Sequence, residues 1–273
     1  MAQAPVRQRS HGTVRLSVSA FGGRSRIVDL AEAGPLRLRF PNVVDGTPEG
    51  ILVNTAGGVA CGDHFETALD LAPGTEFVLT TTAAEKIYKS DGPTSTIINR
   101  VTVAAGANLA WLPQETILFD HSRLRRSFEA VLAGDAGLLV VELLAFGRNA
   151  HGERLTDGLF EDVWRIRRDG RLTYADALRL DGPIDAMLAR AAIGGGARAL
   201  GTIIDFTPGA EARLEEVRAL LDETTAGIDA GASAWNGHLA VRLLGPAIGP
   251  LRTAAARFVS AYRGKTMPRV WQS

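Results

Sequence analysis

Cys61, Asp63 and His64 place a thiol, a carboxylate and an imidazole within four residues, in the stretch Asn54 to Glu66, NTAGGVACGDHFE. With the thiol ionised, that donor set suits nickel, copper or zinc. Extended backbone sends neighbouring side chains to opposite faces, so the three reach one ion only where a turn folds them together. No second cysteine supplies a fourth ligand. The glycines suggest a phosphate loop, but no Lys-Ser or Lys-Thr follows and the flanks alternate as strands do. The stretch therefore reads as a glycine turn entering a strand, with Asn54, Gly57, Gly58 and Gly62 as turn residues. Cys61 and His64 stay secondary candidates for a metal.

Two further acids stand where a strand pattern buries its residues. In RLTYADALRL, Asp176 shares a face with Leu172, Tyr174, Leu178 and Leu180. GLLVVELLAFG is apolar on both faces except for Glu142, which aligns with Val140, Leu144 and Phe146. A buried carboxylate has to be ion-paired, hydrogen-bonded, protonated, metal-bound or in contact with internal water. An arginine partner is the structural explanation and a polar conduit the functional one, and the pattern leaves both open. AAEKIYKS at 83–90 and WLPQETILFD at 111–120 add Glu85, Glu115 and Asp120 beside Lys86, Tyr88 and Gln114. They suit a partner surface, a conduit or solvated strand ends. The five histidines form no HxH or HExxH pair and no Ser-His-Asp order emerges, so catalysis has no motif here.

The elements that must hold these residues are mostly strands. From Val14 to Leu180 the apolar residues recur with period two, broken by Gly, Pro or Asp. Ala-Pro-Gly at 72–74 and Ala-Ala-Gly at 104–106 mark turns between such runs. Helical spacing then appears over 208–223, with Thr207 as the expected N-cap, and again over 250–263, where Leu251, Ala254, Ala255, Phe258 and Tyr262 form a stripe. GHLAVRLLG between them reads as a strand. No fixed residue period recurs, so only a β-solenoid without sequence repetition is compatible. The 273 residues are 46% apolar, and 30 basic residues balance 30 acidic ones without clustering, which argues against a nucleic-acid partner. No apolar run spans a bilayer and no signal peptide is evident, so a cytoplasmic location is expected.

Several segments together resemble the urease accessory protein UreD (UreH) family. They are Asn54-xx-Gly57-Gly58 with Gly62-Asp63, TTAAEKIYKS at 81–90, WLPQETILFD at 111–120, YADALRLDG at 174–182, and the closing Pro268-Arg269-Val270-Trp271. The likeness runs from Val14 to the end, and WLPQETILFD is its most specific part. It implies a mainly β fold: an elongated β-helical, stacked-sheet body with two helices in its C-terminal half. A single domain over 14–273 follows, with residues 1–13 as a flexible tail. The implied function is that of a non-catalytic maturation chaperone that joins UreF and the GTPase UreG on the urease apoprotein. Nickel would pass transiently through an internal polar tunnel, with no tightly bound cofactor. On this view Asp63, Glu85, Glu115, Asp120, Glu142 and Asp176 are the conduit candidates, Glu142 from pattern alone. Phe258 and Tyr262 are candidates for the UreF-facing surface. An adaptor that never touches nickel, or a metal-dependent enzyme using Asp176 and Glu142 as acid and base, are the alternatives. Two departures stand out: the family usually has Pro-Pro between the Asn and the Gly-Gly, and glycine and commonly arginine at positions 61 and 64. A metal site using Cys61 or His64 would thus be peculiar to this chain.

Overall fold

The computed structural model describes residues 9–42 and 46–272. The expected N-terminal tail lies outside the described residues as far as residue 8, and the first strand begins at His11. The chain opens with β1 (His11–Phe21), β2 (Arg24–Ala33), β3 (Leu36–Arg39) and β4 (Glu49–Asn54). It then winds through β5 (His64–Leu71), β6 (Glu76–Thr81) and β7 (Glu85–Ile87), and again through β8 (Ser95–Val103), β9 (Asn108–Leu112) and β10 (Thr116–Leu118). A third coil follows with β11 (Arg123–Leu132) and β12 (Gly137–Phe146), then the hairpin β13 (Gly158–Arg168) and β14 (Arg171–Gly182). The last third holds α1 (Ile184–Leu188), β15 (Ala199–Asp205), α2 (Leu214–Thr224), β16 (Asp229–Trp235), β17 (His238–Gly245) and α3 (Ile248–Arg263).

Successive coils stack in parallel. In sheet one, His64 lies opposite Thr96, Thr96 opposite Arg125, and Arg125 opposite Glu161. The order there is β14-β13-β11-β8-β5-β1-β2, and in sheet two it is β16-β17-β15-β12-β9-β6-β4-β3, with β7 and β10 joined at the side. The rungs differ in length, which is why a solenoid-like winding leaves no fixed period in the sequence. The turns still stack: Gly74, Gly106 and Gly134 all take positive φ, and the Gly74 N–H donates to the Ala105 carbonyl one coil further on. A side chain at those positions would adopt the left-handed region only at a cost.

Two cores follow from the alternation. Val14, Leu16, Leu69 and Phe128 of sheet one meet Phe77, Leu79, Trp111 and Val140 of sheet two between the sheets. The other face of sheet two packs Val141, Leu143 and Val241 against Val217, Leu251 and Phe258 of α2 and α3. β12 lies between the two cores, so it is apolar on both faces. The helical segment expected over 208–223 is corrected at its start. Thr207 caps nothing: its N–H and hydroxyl both bond the Asp205 carboxylate. Gly209 turns the chain with φ 82°, Ala210–Arg213 forms a 3-10 turn, and α2 starts at Leu214 without a side-chain cap. Among the described residues no helix is long and apolar enough to cross a membrane.

Candidate functional site

The period-two alternation of β11 and β13 turns Arg126 and Asp162 into the space between the sheets, in rows with Phe128, Phe160 and Trp164. Register then sets two polar rows face to face. Arg126 sits beside Asp162 in sheet one, while Glu142, Thr202 and Arg242 lie side by side across β12, β15 and β17. Arg126 holds Asp162 with a bidentate fork, Nε to Oδ1 at 3.1 Å and Nη2 to Oδ2 at 2.7 Å, and reaches across to Glu142 Oε2 at 2.6 Å. It also donates to Thr116 Oγ1 at 3.3 Å, and Trp164 Nε1 donates to Asp162 at 3.0 Å. All three charged residues are buried.

Two carboxylates therefore share one buried guanidinium. Burial disfavours the Arg126 charge, but Asp162 and Glu142 outweigh it and keep the group protonated. The excess falls on Glu142, whose carboxyl is pushed up to about 7 by desolvation, against the pull of Arg126. Glu142 therefore holds a proton more readily than an ordinary carboxyl does. The cluster lines a cavity of about 320 Å³ walled by Leu144, Phe146, Leu180 and Leu200. At its more exposed side Asp176 pairs with Arg242, which also donates to Thr202, while the Tyr174 hydroxyl donates to Asp176 at 3.1 Å.

A second polar pocket, of about 120 Å³, lies among Asn54, Gly57, Gly58, Thr81 and Glu85. Glu85 accepts from Asn54 Nδ2 at 3.1 Å, and its carboxyl is pushed up to about 7, chiefly by burial. Thr116 is the register partner of Glu85 on the neighbouring strand, and its hydroxyl accepts from Arg126.

A family model described as UreD urease accessory protein matches residues 10–272. The chain is 63% identical to "Urease accessory protein UreD 2" of Methylorubrum populi, covering 98% of this chain and 92% of that one. It is 45% identical to "Urease accessory protein UreD" of Bradyrhizobium diazoefficiens, covering 96% and 94%. The chain belongs to the UreD family. Its role accordingly lies in urease maturation.

The UreD motifs meet in space. Trp271 of the tail donates through Nε1 to the Leu112 carbonyl at 3.0 Å, and Gln114 Nε2 donates to the Val270 carbonyl at 2.6 Å. The Gln114 N–H donates to Thr81 Oγ1 at 2.8 Å, and Glu115 pairs with Arg252 of α3 at 3.3 Å. WLPQETILFD therefore clamps the C-terminal segment to the solenoid, and Glu115 belongs to that clamp. Asp120 is a loop anchor: its Oδ1 accepts from the Thr156 N–H and hydroxyl and from the Asp157 N–H. Burial pushes the Asp120 carboxyl up, but the Thr156 hydrogen bonds outweigh it and hold the group below its ordinary range.

At the glycine turn, Asp63 accepts from the Ala60 N–H at 2.7 Å and the Ser10 N–H at 2.8 Å, so it ties the turn to β1. Asn54 donates to the Gly58 carbonyl at 2.9 Å and accepts from the Ala56 N–H at 3.0 Å. Gly58 is required there: a Cβ would come within 2.5 Å of the Tyr88 ring and 2.7 Å of the Lys86 carbonyl. Gly57 and Gly62 also adopt positive φ. Cys61 and His64 do not form one site, because Cys61 turns to Asp91 and Ser90 whereas His64 turns to Glu66 and His11. Phe258 and Tyr262 are corrected as a surface stripe. They are 0% and 5% exposed, since that face of α3 packs on sheet two, and the Tyr262 hydroxyl donates to buried Asp205.

Arg126, Asp162, Thr202 and Arg242 were not singled out by the sequence reading. The signal for two of them was present, because Arg126 interrupts the row Leu124, Phe128, Ala130 and Asp162 interrupts Phe160, Trp164, Ile166. It is the same signal that marked Glu142.

Proposed function

We propose that this UreD-family chain is a cytoplasmic maturation chaperone that joins UreF, UreG and the urease apoprotein, and that nickel passes as cargo through the inter-sheet cavity. The observation that carries this reading is the pair Glu142 and Asp162 sharing Arg126 beside that cavity. The cluster has one carboxylate more than its guanidinium can neutralise, and a divalent cation would take the place of the proton on Glu142. Carboxylate and hydroxyl oxygens are hard donors, so nickel would be held weakly enough to leave. An acid–base pair for an enzyme fits less well, because Glu142 is committed to Arg126 and Asp176 to Arg242.

The test co-expresses Glu142→Gln, Asp162→Asn and Asp176→Asn with the urease operon and measures urease nickel content, with complex assembly checked by co-purification. Nickel content is expected to fall while the complex still assembles. Normal nickel loading in all three variants would exclude the cavity as a route. The adaptor reading draws on Asp63, Glu115 and Asp120, which hold backbone or helix rather than face a cavity. It predicts that loading fails only when assembly fails.

A further inference from the structure

We propose that the outer face of sheet one carries a binding site for a late first-row divalent cation, with His11, His64 and Glu66 as its ligands. The parallel pairing of β1 and β5 sets His11 directly beside His64, and the period of two places Glu66 on the same face as His64. The two imidazoles stack with centroids 5.0 Å apart and planes within 5°, and His64 Nε2 lies 2.7 Å from Glu66 Oε1. One ligand atom from each of the three residues lies within 4.8 Å of the others.

Two imidazoles and a carboxylate favour nickel, zinc or copper over magnesium or calcium, which prefer all-oxygen shells. Metal–ligand bonds of about 2.0–2.2 Å require the donor atoms to close to roughly 4 Å or less. That takes a rotation of the ring of exposed His11 and the loss of the proton between half-buried His64 and Glu66, whose 2.7 Å contact opens to admit the ion. Arg100 Nη1 lies 3.3 Å from Glu66 Oε2, so it orients the carboxylate with its other oxygen toward His64, as an outer-shell partner does. Cys61, the donor most conspicuous in the sequence, is not a member of this set. The site lies on the opposite face of the sheet from the inter-sheet cavity, so it does not rest on the proposed nickel route.

The full-length chain carrying Glu142→Gln and Asp176→Asn, which leaves Asp162 as the one remaining acid lining the cavity and neutralised by Arg126, is titrated with nickel and separately with zinc by calorimetry. One saturable equivalent is expected, and adding His11→Gln or His64→Gln is expected to weaken it about tenfold or more. His11 is exposed, so His11→Gln leaves the fold intact, which circular dichroism checks. With copper loaded instead, electron paramagnetic resonance is expected to show hyperfine splitting from two imidazole nitrogens. Unchanged affinity in His11→Gln, absence of a saturable equivalent, or a copper spectrum without nitrogen ligands would each overturn the site.

Discussion

Asp63 and Asp120 on the one hand, and Glu142 and Asp162 on the other, are carboxylates in the same solenoid with opposite surroundings. The first pair accepts from backbone N–H groups at turns, whereas the second shares a single guanidinium between two sheets. An acid satisfied by N–H donors is spent on holding a loop. An acid left with half a counter-charge stays available to a proton or a cation. Residue type and burial do not separate these roles, because Asp63 is as buried as Asp162; the partner does.

The largest effect that bears on this contrast is expected at Arg126. Arg126→Met leaves two buried carboxylates without a cation and should cost about 3–5 kcal/mol in denaturant unfolding. Adding Glu142→Gln and Asp162→Asn should recover much of that loss. A loss below about 1 kcal/mol for the single variant would mean that the cluster is not a charge cluster at all. Asp63→Ala should cost about 1–3 kcal/mol by orphaning the Ala60 and Ser10 N–H groups, and hydrogen exchange at those two amides should accelerate. If urease from the surviving Asp63→Ala complex is fully nickel-loaded, the division between anchoring and cavity acids is sharpened.

Glu85 and Glu142 predict a pH effect of definite sign. Their folded-state values, about 7, lie above the ordinary 4.5, so the folded chain binds protons that the unfolded chain has released. Their contribution to stability is full below about 4.5 and is lost as pH rises to about 7. Glu85→Gln should remove its share of that fall, at most about 3 kcal/mol and less because Glu85 keeps some contact with solvent. Melting temperatures of the two proteins across that window measure it, and parallel curves would contradict the burial of the Glu85 carboxyl. The smallest effect is expected at Asp176→Asn. Its pair with Arg242 is more than a third exposed on average, so stability should change by less than about 1 kcal/mol while nickel loading falls.

Much of this was legible in the strands themselves. FETALDL buries Phe65, Thr67, Leu69 and Leu71 as its alternation requires, and the doubly apolar GLLVVELLAFG is the strand between the two cores. Glu142 was marked because a charge in an apolar row always needs a partner. The partner itself was not legible, since Arg126 lies on another strand of another sheet. The role of Asp63 was hidden for the same reason: its donors, Ala60 and Ser10, are identified only once the turn closes onto β1. Phe258 and Tyr262 show the converse limit. A helical stripe states that one face is apolar but not whether this chain or a partner covers it, and here sheet two does.

By itself the sequence determined the local geometry: period-two strands, glycines at turns where a positive φ costs them nothing, late helices, and acids placed in apolar rows. These follow from backbone sterics and the hydrophobic pattern, which act over a few residues. Only the tertiary structure decided which of those acids meet a cation, which meet backbone N–H groups, and that His11 comes to lie beside His64 and Glu66. Those pairings depend on strand register between coils far apart in sequence, 53 residues for His11 and His64 and 32 for His64 and Thr96, and unequal rungs leave that register unwritten in any local period.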